Sequence, residues 1–323
     1  AESLAFARAQ WLAAREPYLP TEAFRFYDGP IDDPERGVEG MVNAWPLDEA
    51  YIDYVEGDPD AGIVNDPSVP IDADTLMELN EQGGEENVAT GYHAIEFLLW
   101  GQDLDPAGAG HRPPTDYVIG PEGTASNTER RAAYLRTVTS LLVDHLRYVE
   151  RAWHPDDPDN YRSAFVDAPP EASLQKILTG LIVLAGFEMA GERLQAALDS
   201  GNQEDEHSCF SDNTHRDMVR DVYGIGAIWR GRYERIDGRV VEGTGLEEVV
   251  AEADPDLAAR IDAQLETCEQ HAAALVPPFD QEIALDNPEG RARVAGLIDA
   301  LWQLKGLLQE AYRVLDLPSA PPA

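Results

Sequence analysis

Two residues able to do chemistry stand three apart in an otherwise apolar stretch, His93 and Glu96 in Gly91-Tyr92-His93-Ala94-Ile95-Glu96-Phe97-Leu98-Leu99-Trp100. On a helix this i,i+3 spacing puts an imidazole and a carboxylate on one face. Pointing together into a bundle, they can bind a divalent or trivalent cation, as Glu/His pairs do in helical iron carboxylate sites. Imidazole suits zinc, copper, iron and nickel, and the carboxylate adds a hard oxygen. Imidazole must be neutral to coordinate, so affinity is expected to fall below about pH 6. Gly91 leaves room for a close approach to the helix. A simple His–Glu hydrogen bond inside a helical core accounts for the same residues, because two ligands alone make no site.

The stretch from Gln203 to Asp217, QEDEHSCFSDNTHRD, packs two histidines and five acids into fifteen residues of a chain with seven histidines. Here His207, Asp212 and His215 are the candidates for a second part of the site. Ser211 or Asp212 also suits the N-cap of a following helix. A third block, NAWPLDEAYIDYV from Asn43, holds Asp48 and Glu49, which read as the cap and first-turn charge of a short helix. Glu188, Glu192 and Arg193 read as an internal ion-pair network, since such groups are rarely buried unpaired. No HExxH pair, Walker loop, G-x-S-x-G elbow or CxxCH haem motif occurs.

The elements that carry these residues are helical. Helices are expected over 1–16, ending at Pro17, and over 72–82 and 85–100, divided by Gly83-Gly84. Further helices are expected over 128–153, 171–198, 213–230, 256–275 and 288–315. In the helix from Thr128, Leu135, Val138, Leu142, Leu146 and Val149 recur at helical spacing. The segment 171–198 is apolar on nearly every face and is expected inside a bundle. A short hairpin is expected around Asp237-Gly238. The stretch from His154 to Pro170 carries four prolines and little periodicity, and reads as a linker between lobes 1–153 and 171–323. The fold class is all-α, with two bundles side by side, long Pro/Gly/Asp-rich loops and at most that one hairpin.

Composition narrows the function. With 323 residues and 43% hydrophobic content the chain can build a substantial core. A formal charge of -37 repels phosphate backbones, so nucleic acid is not a partner. Lysine occurs only at 176 and 305, and such a carboxylate-rich, lysine-poor surface suits concentrated salt. The most apolar run, from Ile177 to Ala190, is shorter than the roughly 18 residues that span a bilayer and contains Glu188, so no spanning segment is expected. The two cysteines, Cys209 and Cys268, could form one disulfide in an oxidising compartment.

Taken together, the three blocks resemble the imelysin family, also described as iron-regulated protein A-like. Gly91-x-His93-x-x-Glu96 looks like that family's GxHxxE motif, and NAWPLDEAYIDYV and EDEHSCFSDNTHRD are similar to its other recurring segments, in the expected order. The resemblance runs from about Arg15 to the end. It implies a two-lobed helical protein, periplasmic or on the outer cell surface, with a site between the lobes that contains His93 and Glu96. Relatives usually carry one or more helices ahead of the first segment of this chain, so an N-terminal helix is expected to be trimmed here or lacking, with a lipid anchor as a further upstream feature. The implied function is metal binding in iron acquisition or regulation, with iron ahead of zinc as the metal and iron-uptake proteins as partners. Two alternatives stay open: a metallopeptidase, and a non-catalytic interaction protein whose His–Glu pair is structural.

Overall fold

A computed structural model describes residues 2–319 and 321–322. The major elements are α1 (Glu2–Tyr18), α2 (Gly91–Trp100), α3 (Thr128–Ala152), α4 (Pro170–Ser200) and α5 (Thr214–Arg230). These are followed by β1 (Arg232–Glu234), β2 (Val240–Glu242), α6 (Leu246–Ala253), α7 (Pro255–Ala273), α8 (Phe279–Ile283) and α9 (Pro288–Val314). Short helical turns decorate the loops before α2. The fold is all-α as expected, and the antiparallel β1–β2 pair around Asp237-Gly238 is the only named sheet among the described residues.

The helix expected from residue 85 starts later, at Gly91, with Thr90 extended and Gly91 at φ +86°. That left-handed backbone is accessible to glycine at little cost. A Cβ on Gly91 would meet the Val42 carbonyl oxygen at 2.7 Å, so the close approach made possible there is by the chain's own backbone. Two shorter helices, Tyr161–Asp167 and Leu246–Ala253, escaped sequence reading. The first lies inside the stretch read as a linker. It is docked by aromatics, with Phe165 stacked on Tyr27 and Trp153 edge-on to Tyr161.

Two hydrophobic cores form. The first packs α1, α2 and α3, and all ten residues of α2 are buried. Trp11 of α1 sets its edge against Tyr92 and Trp100 and donates Nε1–H to the Tyr92 carbonyl. The second core joins α4 to α5, α6, α7 and α9. The chain does not divide cleanly at the linker. Ala23, just past α1, belongs to the second core, while Cys209 and Phe210 belong to the first. The two cores are thus tied through the segments that carry the motif residues.

Helix α4 departs from its expected environment. It is long and apolar enough to cross a membrane by composition, but only half of its most apolar window is buried, and Phe187 is 57% exposed. Leu178, Leu181, Ile182 and Leu194 fill the second core, as a core helix would. From Leu184 to Gln195 it is wound as a π-helix, a form often found at functional sites. The disulfide that two cysteines would allow does not form: Cys209 and Cys268 are both free and buried, one in each core.

Candidate metal centre

Between the cores lies a buried polar cluster built on α1, α2, α4, α5 and the loop before α5. His93 is 1% exposed and Glu96 fully buried, and His93 Nδ1 lies 2.8 Å from Glu96 Oε2. The other Glu96 oxygen accepts from the Ser211 backbone N–H at 3.0 Å and its hydroxyl at 2.6 Å. Both carboxylate oxygens are therefore engaged within the chain.

His207 repeats the arrangement from the other side. Its Nδ1 lies 2.7 Å from Asp217 Oδ2, and its ring stands edge-to-face to His93 with centroids 5.0 Å apart. Among the described residues, the Nε2 of His93 has no hydrogen-bond partner, and that of His207 has only the Asn43 amide at 3.5 Å. An imidazole tied at Nδ1 to a carboxylate, with Nε2 left over, is the arrangement metal-ligating histidines adopt.

Charged groups balance around the pair. Asp217 Oδ2 also accepts from Ser208 Oγ at 2.5 Å and Arg15 Nη2 at 3.3 Å, and Oδ1 from Asn213 at 3.0 Å. Arg15 donates to Asn43 Oδ1 at 2.5 Å, Asn43 donates to Glu22 at 2.7 Å, and Arg193 joins Glu22 to Asp221. Arg193 and Glu188 pair as the sequence implied, at 3.4 Å, whereas Glu192 is exposed and outside the network. Burial would raise the Asp217 carboxyl, but Arg15 and the bonds from His207 and Ser208 hold it well below the usual carboxylate range. Burial, aided by Arg15 for His93 and Arg193 for His207, lowers both imidazoles to about 3. Both rings are therefore neutral well below pH 6, and the expected acid loss of affinity moves to lower pH. Burial pushes Glu96 up to about 8 against the pull of the Ser211 bonds.

A pocket of about 340 Å³ leads to this cluster, with Asn43 and His207 in its lining. Glu39, Glu81, Glu85, Glu188 and Glu192 give it an acidic wall, relieved by Arg25 and Arg193. The π-wound part of α4 supplies Glu188, Glu192 and Arg193.

The motif residues thus divide. His93, Glu96 and His207 come together. Asp212 turns instead toward Asp103 and Asp280. His215 is half-buried, with Nδ1 3.0 Å from the carbonyl oxygen of Asp212 in its own loop. Sequence reading missed Arg15, Glu22, Asn43, Asp217 and Asp221. Asn43 and Asp217 lay in the blocks already singled out, but nothing in their spacing marked them as neighbours of His207.

A family model described as Imelysin, peptidase family M75, matches residues 1–308. No curated protein matches the chain. Among solved structures, an iron-regulated protein A precursor from Parabacteroides distasonis ATCC 8503 shares the fold with a TM-score of 0.66 and 17% identity. That likeness covers 95% of this chain and 84% of the other.

Proposed function

The chain belongs to the imelysin family, and from that premise we propose that it is an exported metal-binding protein of iron acquisition or regulation. The observation that carries the reading is the facing pair of imidazoles, each tied at Nδ1 to a buried carboxylate, with the His93 Nε2 unpartnered in the interior. In this reading Nε2 of His93 and Nε2 of His207 are the ligand atoms. Glu96 and Asp217 fix the rings, which gives Glu96 an orienting role where its spacing had suggested a ligand. The remaining positions fall to water or to carboxylates of the acidic pocket.

Ligand chemistry and charge agree with this assignment. Two neutral nitrogens suit ferrous iron and zinc. Because both rings are held neutral by burial, protons compete weakly for the rings themselves, while Glu96, raised to about 8, gives up its proton as the ion binds. The acidic wall raises the local concentration of cations over the pocket. The bound ion would supply Lewis acidity or a releasable cargo, and the chain's own contribution is to orient the rings and limit water. The iron assignment draws on the family, and the site outside the cytoplasm on the resemblance of the motif blocks.

Calorimetric titration of chelator-stripped protein with ferrous, ferric and zinc ions tests the reading. Binding should weaken about tenfold or more in His93→Ala and in His207→Ala. Equal affinity in the wild type and both variants would end it and leave the pair structural. Hydrolysis of an unfolded protein substrate that vanishes in His93→Ala would replace it with the metallopeptidase alternative.

A further inference from the structure

Buried carboxylates in this protein usually find a cation or several donors. Asp53 is gripped by Arg131 and Arg112, and Asp217 by Arg15, His207, Ser208 and Asn213. Four others do not. Single carboxylate oxygens of Asp103, Asp212 and Asp280 all lie within 4.8 Å of one another. Asp103 is 1% exposed, Asp280 5% and Glu206, which interacts with Asp280, 0%, while Asp212 is half-buried. Among the described residues, both oxygens of Asp280, both of Glu206, Oδ2 of Asp103 and Oδ1 of Asp212 have no hydrogen bond of good geometry, and their interactions are mostly with one another, Asp103 with Asp212 and Glu206 with Asp280, with Thr214 beside Glu206. Among the described residues, none of the four pairs with an arginine, lysine or histidine.

Converging carboxylates without counter-charge, most of them buried, are costly and must take up either protons or a cation. We propose that Asp103, Asp212 and Asp280, backed by Glu206, form an oxygen-only site for a hard divalent cation, calcium by preference. The donor set contains no nitrogen or sulfur, which excludes the softer metals that suit the histidine pair. Calcium takes oxygens at about 2.3–2.6 Å in irregular geometry, so oxygens up to about 5 Å apart can share it. Magnesium, at about 2.0–2.1 Å and near-octahedral, would have to draw these groups closer.

The position gives the cation a structural task. Asp103 follows α2, Glu206 and Asp212 sit in the loop before α5, and Asp280 is on α8. The same loops are already stitched by Gln203 donating to the Asp103 carbonyl and Gln281 to the Pro106 carbonyl. Ser211, which holds Glu96, is the neighbour of Asp212. A cation here fastens the lobes next to the histidine pair without touching it, and the inference does not depend on what the histidines bind.

The test is thermal unfolding of the chelator-stripped full chain, with calcium added at constant ionic strength. At a hundredfold excess over Kd the wild type should gain about 4 °C. His93→Ala should gain as much, which separates this site from the histidine reading. Asp280→Asn and Asp103→Asn should lose the calcium response yet melt above stripped wild type, because repulsion is relieved. No calcium response in the wild type would show that the cluster keeps protons instead and would overturn the proposal. An equal response in both Asn variants would assign the effect to the acidic surface and overturn it too.

Discussion

Replacing Asp217 by Asn probes both the energetics of the buried cluster and the use made of it. The side chain keeps its shape but loses its charge. Asp217 is fully buried, and Arg15, also fully buried, has it as its one carboxylate within ion-pair distance among the described residues. Arg15 would keep the neutral Asn43 at 2.5 Å, the aromatic faces of Trp11, Tyr18 and Tyr92, and the more distant charge of Glu22. Leaving a buried charge without its partner costs about 3–5 kcal/mol. At about 2.1 cal/mol/K per residue, a chain of 323 residues should then melt about 4–7 °C lower. The His207 ring loses its carboxylate at Nδ1, so metal affinity should drop about 10- to 100-fold. Calorimetric melting and metal titration of the same preparation read both effects. The control is Glu16→Gln, which breaks a partly exposed pair with Arg216 and Arg220 worth about 1 kcal/mol or less. A melting loss in Asp217→Asn no larger than in the control would refute the buried-charge argument. Unchanged metal affinity despite the expected melting loss would refute the orienting role.

Gly91→Ala should destabilise by more than about 2 kcal/mol, since it combines a left-handed φ with a 2.7 Å contact to the Val42 carbonyl oxygen; denaturant unfolding that matches wild type would contradict this. Burial raises Glu39 and Glu49 to about 7 and Glu96 to about 8, so the stability these groups contribute is full below about pH 4.3 and is lost as pH rises through 7–8. His93 and His207, lowered to about 3, act oppositely and cost stability as pH falls below about 6.5. Calorimetry at fixed ionic strength should therefore show a melting maximum on the acid side of neutrality, and a melting temperature that climbs from pH 6 to pH 9 would reverse the sign. Because Cys209 and Cys268 lie unpaired in separate cores, unreduced unfolded protein should titrate two thiols, and a reductant should leave the melting temperature unchanged.

Much of the architecture was legible in local sequence because helices advertise themselves by short-range periodicity. The long helices from Thr128, Thr214, Pro255 and Pro288 begin and end within two residues of their expected bounds. The hairpin at Asp237-Gly238 was equally local. The His93–Glu96 contact follows from i,i+3 spacing on one helix, and the family from the motif blocks in their order. Other features depended on groups far apart in the chain. His207 meets His93 across 114 residues and Arg15 meets Asp217 across 202, distances over which side-chain spacing carries no geometry. Asp212 and His215 shared a promising block with His207, yet only His207 turned inward, because the loop before α5 bends its neighbours toward different partners. The two cysteines allowed a bridge by number, and packing placed them in different cores. Asp103, Asp212 and Asp280 come from three separate segments, and their oxygens approach one another only in the packed chain. Local sequence thus determined which helices form and which two residues share a face, since those depend on steric rules within a few residues. Tertiary packing alone decided which charges are buried together and which of them lack a partner, because burial and counter-charge are properties of the assembled interior.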